Sequence, residues 1–293
     1  MNDLVFQRPG PMPFRILLDE ALRLARRHFR AIYPQVAIPA AVLATLLAVA
    51  QALWFSQLTS GASVFGVTPG IYLLTLAYIG LLVVAYMAMQ VAVIDVLSGR
   101  PADMRRAWRF AVQGRVLGTL FLWYVATIAS VVCCCLPALV VVPLLSFVSP
   151  LMVEEGRFWA DSFSRSTELA RYDPGQGLWE RPAVKVLLFL GVGLLISYLL
   201  GLLVALPFQI PMYIDMFRKV ASGEDTLQAM PRWLWLQVPA QFLNALVSTA
   251  VYLYICFGIT LLFFDTRGRK EGTDLRSEID DVFGDPPPEL PFS

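Results

Sequence analysis

Six apolar runs, each long enough to cross a lipid bilayer, constrain this chain more than any other feature. They fall at residues 31–55, 71–97, 116–135, 136–153, 186–208 and 239–264. A helix rises ~1.5 Å per residue, so ~20 residues cover the ~30 Å of hydrocarbon. A single helix over 116–153 would reach ~57 Å, so Pro137 divides that stretch into two spans. Composition agrees: the 293 residues are 57% hydrophobic and 15% charged, where a soluble domain carries ~25% charge. The expected fold is all-α, a polytopic transmembrane bundle of six spans with cytoplasmic amphipathic helices.

Charge placement orients the bundle. Of the 23 Lys and Arg residues, six precede the first span and five separate spans two and three. Five more separate spans four and five, and four follow span six. The opposite face holds three: Arg218, Lys219 and Arg232. Basic residues gather on the cytoplasmic side of membrane proteins, so both termini are expected in the cytoplasm. Trp233 and Trp235 stand before span six as interfacial anchors.

The membrane domain is expected over 14–275, between a loose tail at 1–13 and an acidic, Pro-rich cytoplasmic tail at 276–293. Residues 14–30 read as an amphipathic helix. Leu17, Leu18, Ala21, Leu24 and Ala25 lie opposite Arg15, Arg23, Arg26, Arg27 and Arg30. That pattern suits a helix in the headgroup plane, and equally one packed on its own protein. Two stripes of small residues at four-residue spacing, Ala40–Ala44–Ala48–Ala52 and Gly193–Ser197–Gly201, are expected to permit close helix approach.

Several chemistries are excluded or demoted. A net charge of +1 gives no electrostatic case for nucleic acid. His28 is the one histidine, which rules out a multi-His metal site. Cys133, Cys134 and Cys135 are adjacent, a spacing that neither chelates zinc nor forms a relaxed disulfide. They are read as small packing residues. Asp95 precedes Arg100 by five residues and is expected to pair at the inner interface rather than couple ions. Gln90 and its like are read as glue between helices. No cofactor is expected.

Two charged stretches remain. Asp265, Arg267, Arg269, Lys270, Glu271 and Asp274 follow directly on the last apolar run. The basic members suit lipid phosphates at the inner leaflet, and Asp265 and Arg269 have the i,i+4 spacing of a helical ion pair. The plain alternative is a stop-transfer element whose helix ends at Gly272. Glu155 and Arg165 flank the fourth span's inner end. Glu155 is expected to pair with Arg165 or with an arginine of the closing stretch. The alternative is that both are solvated charges of little energetic weight.

These stretches carry a resemblance. Phe264-Asp265-Thr266-Arg267-Gly268-Arg269-Lys270-Glu271-Gly272-Thr273-Asp274-Leu275 resembles the signature closing the last span of the glycerophosphodiester phosphodiesterase membrane-domain family, with Phe264 at a tyrosine position. Pro150 through Gly156, followed by Ser162-Phe-Ser-Arg165-Ser166-x-x-Leu169, resembles that family's second motif, with Ser162 at an alanine position. The resemblance implies a six-span bacterial inner-membrane protein with no established activity of its own. The soluble phosphodiesterase domain that some members carry has no counterpart in the 29 residues after Phe264. The leading expectation is a non-enzymatic scaffold or accessory protein that engages membrane lipids or a protein partner at its cytoplasmic face. A permease for a lipid-like or small solute is the alternative, and a lipid-processing enzyme ranks last.

Overall fold

The computed structural model describes residues 13–59, 68–133, 135–171, 177–222 and 230–283. Residues 58–59, 68, 133, 135–136, 178, 230–232 and 271–283 are described by backbone alone. Nine α-helices and one 3-10 turn make up the described chain, with no strand among them. The helices are α1 Phe14–Thr59, α2 Thr68–Leu97, α3 Met104–Ala111, α4 Gly114–Cys133, α5 Cys135–Leu145, α6 Val148–Glu154, α7 Ala160–Ala170, α8 Pro182–Ser222 and α9 Met230–Phe283. The turn is Leu178–Glu180. Among the described residues, six stretches are long and apolar enough to cross a membrane, the fourth being α5 and α6 together.

The first surprise is continuity. The expected surface helix and first span are one 46-residue helix, despite Pro34 and Pro39. The reason lies in the apolar stripe. Leu17, Ala21, Leu24 and Ala25 are buried in the same core as Ile32 and Val36. The face that suited either headgroups or neighbouring helices thus packs on the protein itself. Likewise α9 does not end at Gly272 but runs to Phe283. The Arg269 side chain donates to the Asp265 carbonyl and carboxylate one turn back, which supports the helix beyond the apolar run. The fifth span also continues, through Pro207 and Pro211 to Ser222.

The long helix α9 forms the spine, packed chiefly on α1 and then on α8. The predicted small-residue stripes lie at these seams. Ala40, Ala44, Ala48 and Ala52 are all buried, and Ala41 and Ala44 cluster with Ala245. Gly193 faces Ile255, and Gly201 faces Asn244. Gly258 accepts the Phe189 ring so closely that an added Cβ would sit 1.9 Å from it. Gln90 on α2 donates to Thr260 on α9 at 2.6 Å inside the core, satisfying polar groups that lipid cannot.

Span four is broken in its middle. α5 ends at Leu145, and α6 starts at Val148. Pro150, in the first turn of α6, cannot donate to the Ser146 carbonyl, and the Ser146 N–H turns to the Pro143 carbonyl instead of continuing the α-helical ladder. The carbonyls freed by the break find side-chain donors from other helices. Ser166 Oγ donates to the Leu144 carbonyl at 2.6 Å, and Trp123 Nε1 to the Leu145 carbonyl at 3.2 Å. Irregular backbone at membrane depth persists where protein groups replace the lost partners.

Candidate functional site

One end of the bundle gathers nearly all the described charge. The turn after α6 builds its centre. Gly156 adopts φ +62°, the left-handed region that favours glycine, and Trp159 adopts φ 57°. Trp159 is held there by three contacts. Its N–H donates to the buried Thr119 hydroxyl at 3.0 Å, its carbonyl accepts from Ser162 at 2.7 Å, and its indole lies over Gly118. The chain thereby doubles back, and α7 returns its arginine to the end of α6.

Glu155 is the focus, with its side chain 11% exposed. Arg157 Nε lies 2.9 Å from Oε2, and Arg165 Nε 3.8 Å from the same oxygen. Arg267 Nε, from α9, lies 3.8 Å from Oε1. Arg165 also pairs with Glu168 at 3.0 Å. The two stretches distinguished in the sequence therefore meet at a single carboxylate. Ser166, next to Arg165 on α7, points the other way and serves the broken span.

A second centre forms around Asp265. Arg269 reaches its carboxylate at 2.7 Å, and Lys185, itself buried, lies within electrostatic reach of both Asp265 and Glu180. Lys270 does something else. Its ammonium donates to the carbonyls of Glu168 at 2.7 Å and Arg171 at 3.3 Å. These lie at the C-terminus of α7, where helix carbonyls lack intrahelical partners and a cation is favourable. The side chains of Glu271 and Asp274 lie outside the described residues, as do those of the Cys133–Cys135 triplet.

Of the sequence candidates, Glu155, Arg165 and Arg267 are thus brought together, while Asp265 and Arg269 form a pair of their own. Lys270 joins α9 to α7. Two participants were not singled out. Lys185 is one of the five basic residues between spans four and five and belongs to no motif. Arg157 carried no motif weight, because turn geometry alone brings it to Glu155.

A third region lies beside this knot. Asp95, buried at the end of α2, pairs with Arg106 at 3.1 Å and Arg100 at 3.8 Å. Asp103 caps α3, accepting from the N–H groups of Arg105 and Arg106. Met104, Ala107 and Ala111 seat α3 on the bundle. Arg105 and Arg109 face outward and border a shallow recess with Phe110 and Gln113. Among the described residues no carboxylate pairs with either arginine. No group of His, Cys, Asp and Glu among the described residues is arranged to hold a metal ion.

No protein family, characterised protein or solved structure matches this chain.

Proposed function

We propose that this is a non-enzymatic scaffold or accessory protein of the bacterial inner membrane. Both termini face the cytoplasm, and that face engages lipid headgroups or a protein partner. The observation that carries the reading is a division of labour among the basic residues. Arg165, Arg267, Arg269 and Lys270 bind groups within the protein. Arg105 and Arg109 stand outward on a short helix seated at the same end. Guanidinium groups there suit phosphate oxygens, by charge-assisted and often bidentate hydrogen bonds. The positive-inside bias supports the orientation. The motifs resembling the glycerophosphodiester phosphodiesterase membrane-domain family support the same reading.

The test is gentle extraction followed by mass spectrometry of retained lipids and proteins. Arg105→Gln with Arg109→Gln is expected to lower retained anionic lipid, since each basic residue near the surface contributes ~1 kcal/mol. Insertion and melting stay unchanged. Undiminished retention of both lipid and protein would count against the proposal.

A second reading, a permease for a lipid-like or small solute, is favoured by one feature. The fourth crossing is interrupted beside an apolar cavity whose wall includes Ser146 and Val148. Proteoliposomes that exchange a fluorescent phospholipid between leaflets faster than empty vesicles would support it. Equal rates would remove it.

A further inference from the structure

We infer that the central cavity is a binding site for one acyl chain of a surrounding membrane lipid. The cavity measures about 340 Å³ and is walled by residues of α1, α2, α4, α5, α6, α8 and α9. Its depth can be read along four helices. Tyr124 lies nine residues beyond Arg115 on α4, and Leu194 nine beyond Lys185 on α8. Leu82 lies 13 residues before Asp95 on α2, and Tyr252 13 before Asp265 on α9. At ~1.5 Å per residue these place the far side of the cavity ~14–20 Å from the charged end, while Leu120, Met89 and Ile259, five to six residues from Arg115, Asp95 and Asp265, bring its near side to ~8–9 Å. The far side thus lies at the middle of a hydrocarbon layer ~30 Å thick.

Three of its lining residues, Tyr124, Leu194 and Tyr252, are 37%, 62% and 42% exposed. The mouth therefore opens sideways at mid-bilayer depth, where the adjoining medium is lipid tails. The lumen offers little to water, which needs two to four polar partners to settle in a cavity. Ser146 Oγ donates to the Val142 carbonyl at 2.7 Å, and Thr249 Oγ1 to the Ala245 carbonyl at 2.8 Å. These two hydroxyls are engaged by their own helices, Tyr86 lies within hydrogen-bonding reach of Ser149, and the Tyr124 and Tyr252 side chains stand at the exposed mouth. An unfilled apolar space forfeits dispersion contacts along its whole lining. A flexible hydrocarbon chain, already at the mouth, restores them. This inference does not rest on the scaffold reading and requires no transport.

The test uses phosphatidylglycerol bearing a photoactivatable diazirine at the middle of one acyl chain. The full-length protein is reconstituted with it in vesicles of phosphatidylethanolamine and phosphatidylglycerol. After illumination, adducts are mapped by mass spectrometry. Adducts are expected on Met89 and Val148, lining residues that are 2% and 1% exposed and cannot be touched from the protein's outer surface. Ala85→Phe, which fills the lumen, should abolish them. Adducts on outward-facing Leu199 and Leu203 should persist and report a folded, embedded chain. Leu194→Trp, on the exposed rim, narrows the mouth without entering the core and should reduce the inner adducts. Wild-type adducts confined to Leu199, Leu203 and similar outer positions would overturn the inference. So would inner adducts that survive both substitutions.

Discussion

Glu155 brings three guanidinium groups to one carboxylate, and the three are not equivalent. Arg165 and Arg267 are largely covered, whereas Arg157 is half exposed. A charge pair in contact with water gains little, because water screens it and ordering the side chains opposes it. A carboxylate removed from beside covered guanidiniums leaves them poorly compensated. Glu155→Gln is therefore expected to destabilise by about 1–3 kcal/mol, seen as a lower melting temperature in mild detergent. Arg157→Gln should cost less than about 1 kcal/mol. Equal effects would mean that the closer contact, not the more covered ones, dominates. The candidate pairing of Glu155 with Arg165 or a closing arginine was legible because both partners carry charge and flank span ends. The Lys270 contact was not, because its acceptors are backbone carbonyls, which every residue has.

The interrupted fourth crossing is held by side chains from α4 and α7. Trp123→Phe removes the donor to Leu145, and Ser166→Ala removes the donor to Leu144. Each leaves a buried carbonyl unsatisfied, at about 1–3 kcal/mol. Ser166→Ala leaves the apolar packing nearly unchanged, so its melting curve reports the hydrogen bond itself, whereas Trp123→Phe also removes apolar volume packed on the core and should cost more. Gly118→Ala acts through shape. Its Cβ would lie 2.2 Å from the Trp159 ring, so the turn that delivers Arg165 must shift. Accelerated proteolysis in the 155–160 turn is the expected sign, and a wild-type cleavage rate would contradict the packing.

Helix existence was readable from apolar runs, and the seams from small residues at four-residue spacing. Helix boundaries were not. Charge on residues 14–30 suggested a separate element, yet the Leu17–Ala21–Leu24 stripe continues the core of α1. Pro137 marked where spans three and four divide, while the break inside span four depends on donors distant in sequence.

At the scale of the whole molecule, covered and displayed charge occupy the same end. The helix α9 joins the ends of α6 and α7 through Arg267 and Lys270. At the same end α3 presents Arg105 and Arg109, and α1 presents Arg15, Arg26 and Arg30. In the proposed arrangement, six crossings put this end in the cytoplasm. Periplasm- and cytoplasm-specific reporters fused after Gly61, Arg181 and Asp225 test it most directly. Gly61 and Asp225 are expected to report the periplasm, and Arg181 the cytoplasm. A cytoplasmic signal after Asp225 would contradict the six-crossing arrangement, and inverted signals at all three sites would contradict the orientation.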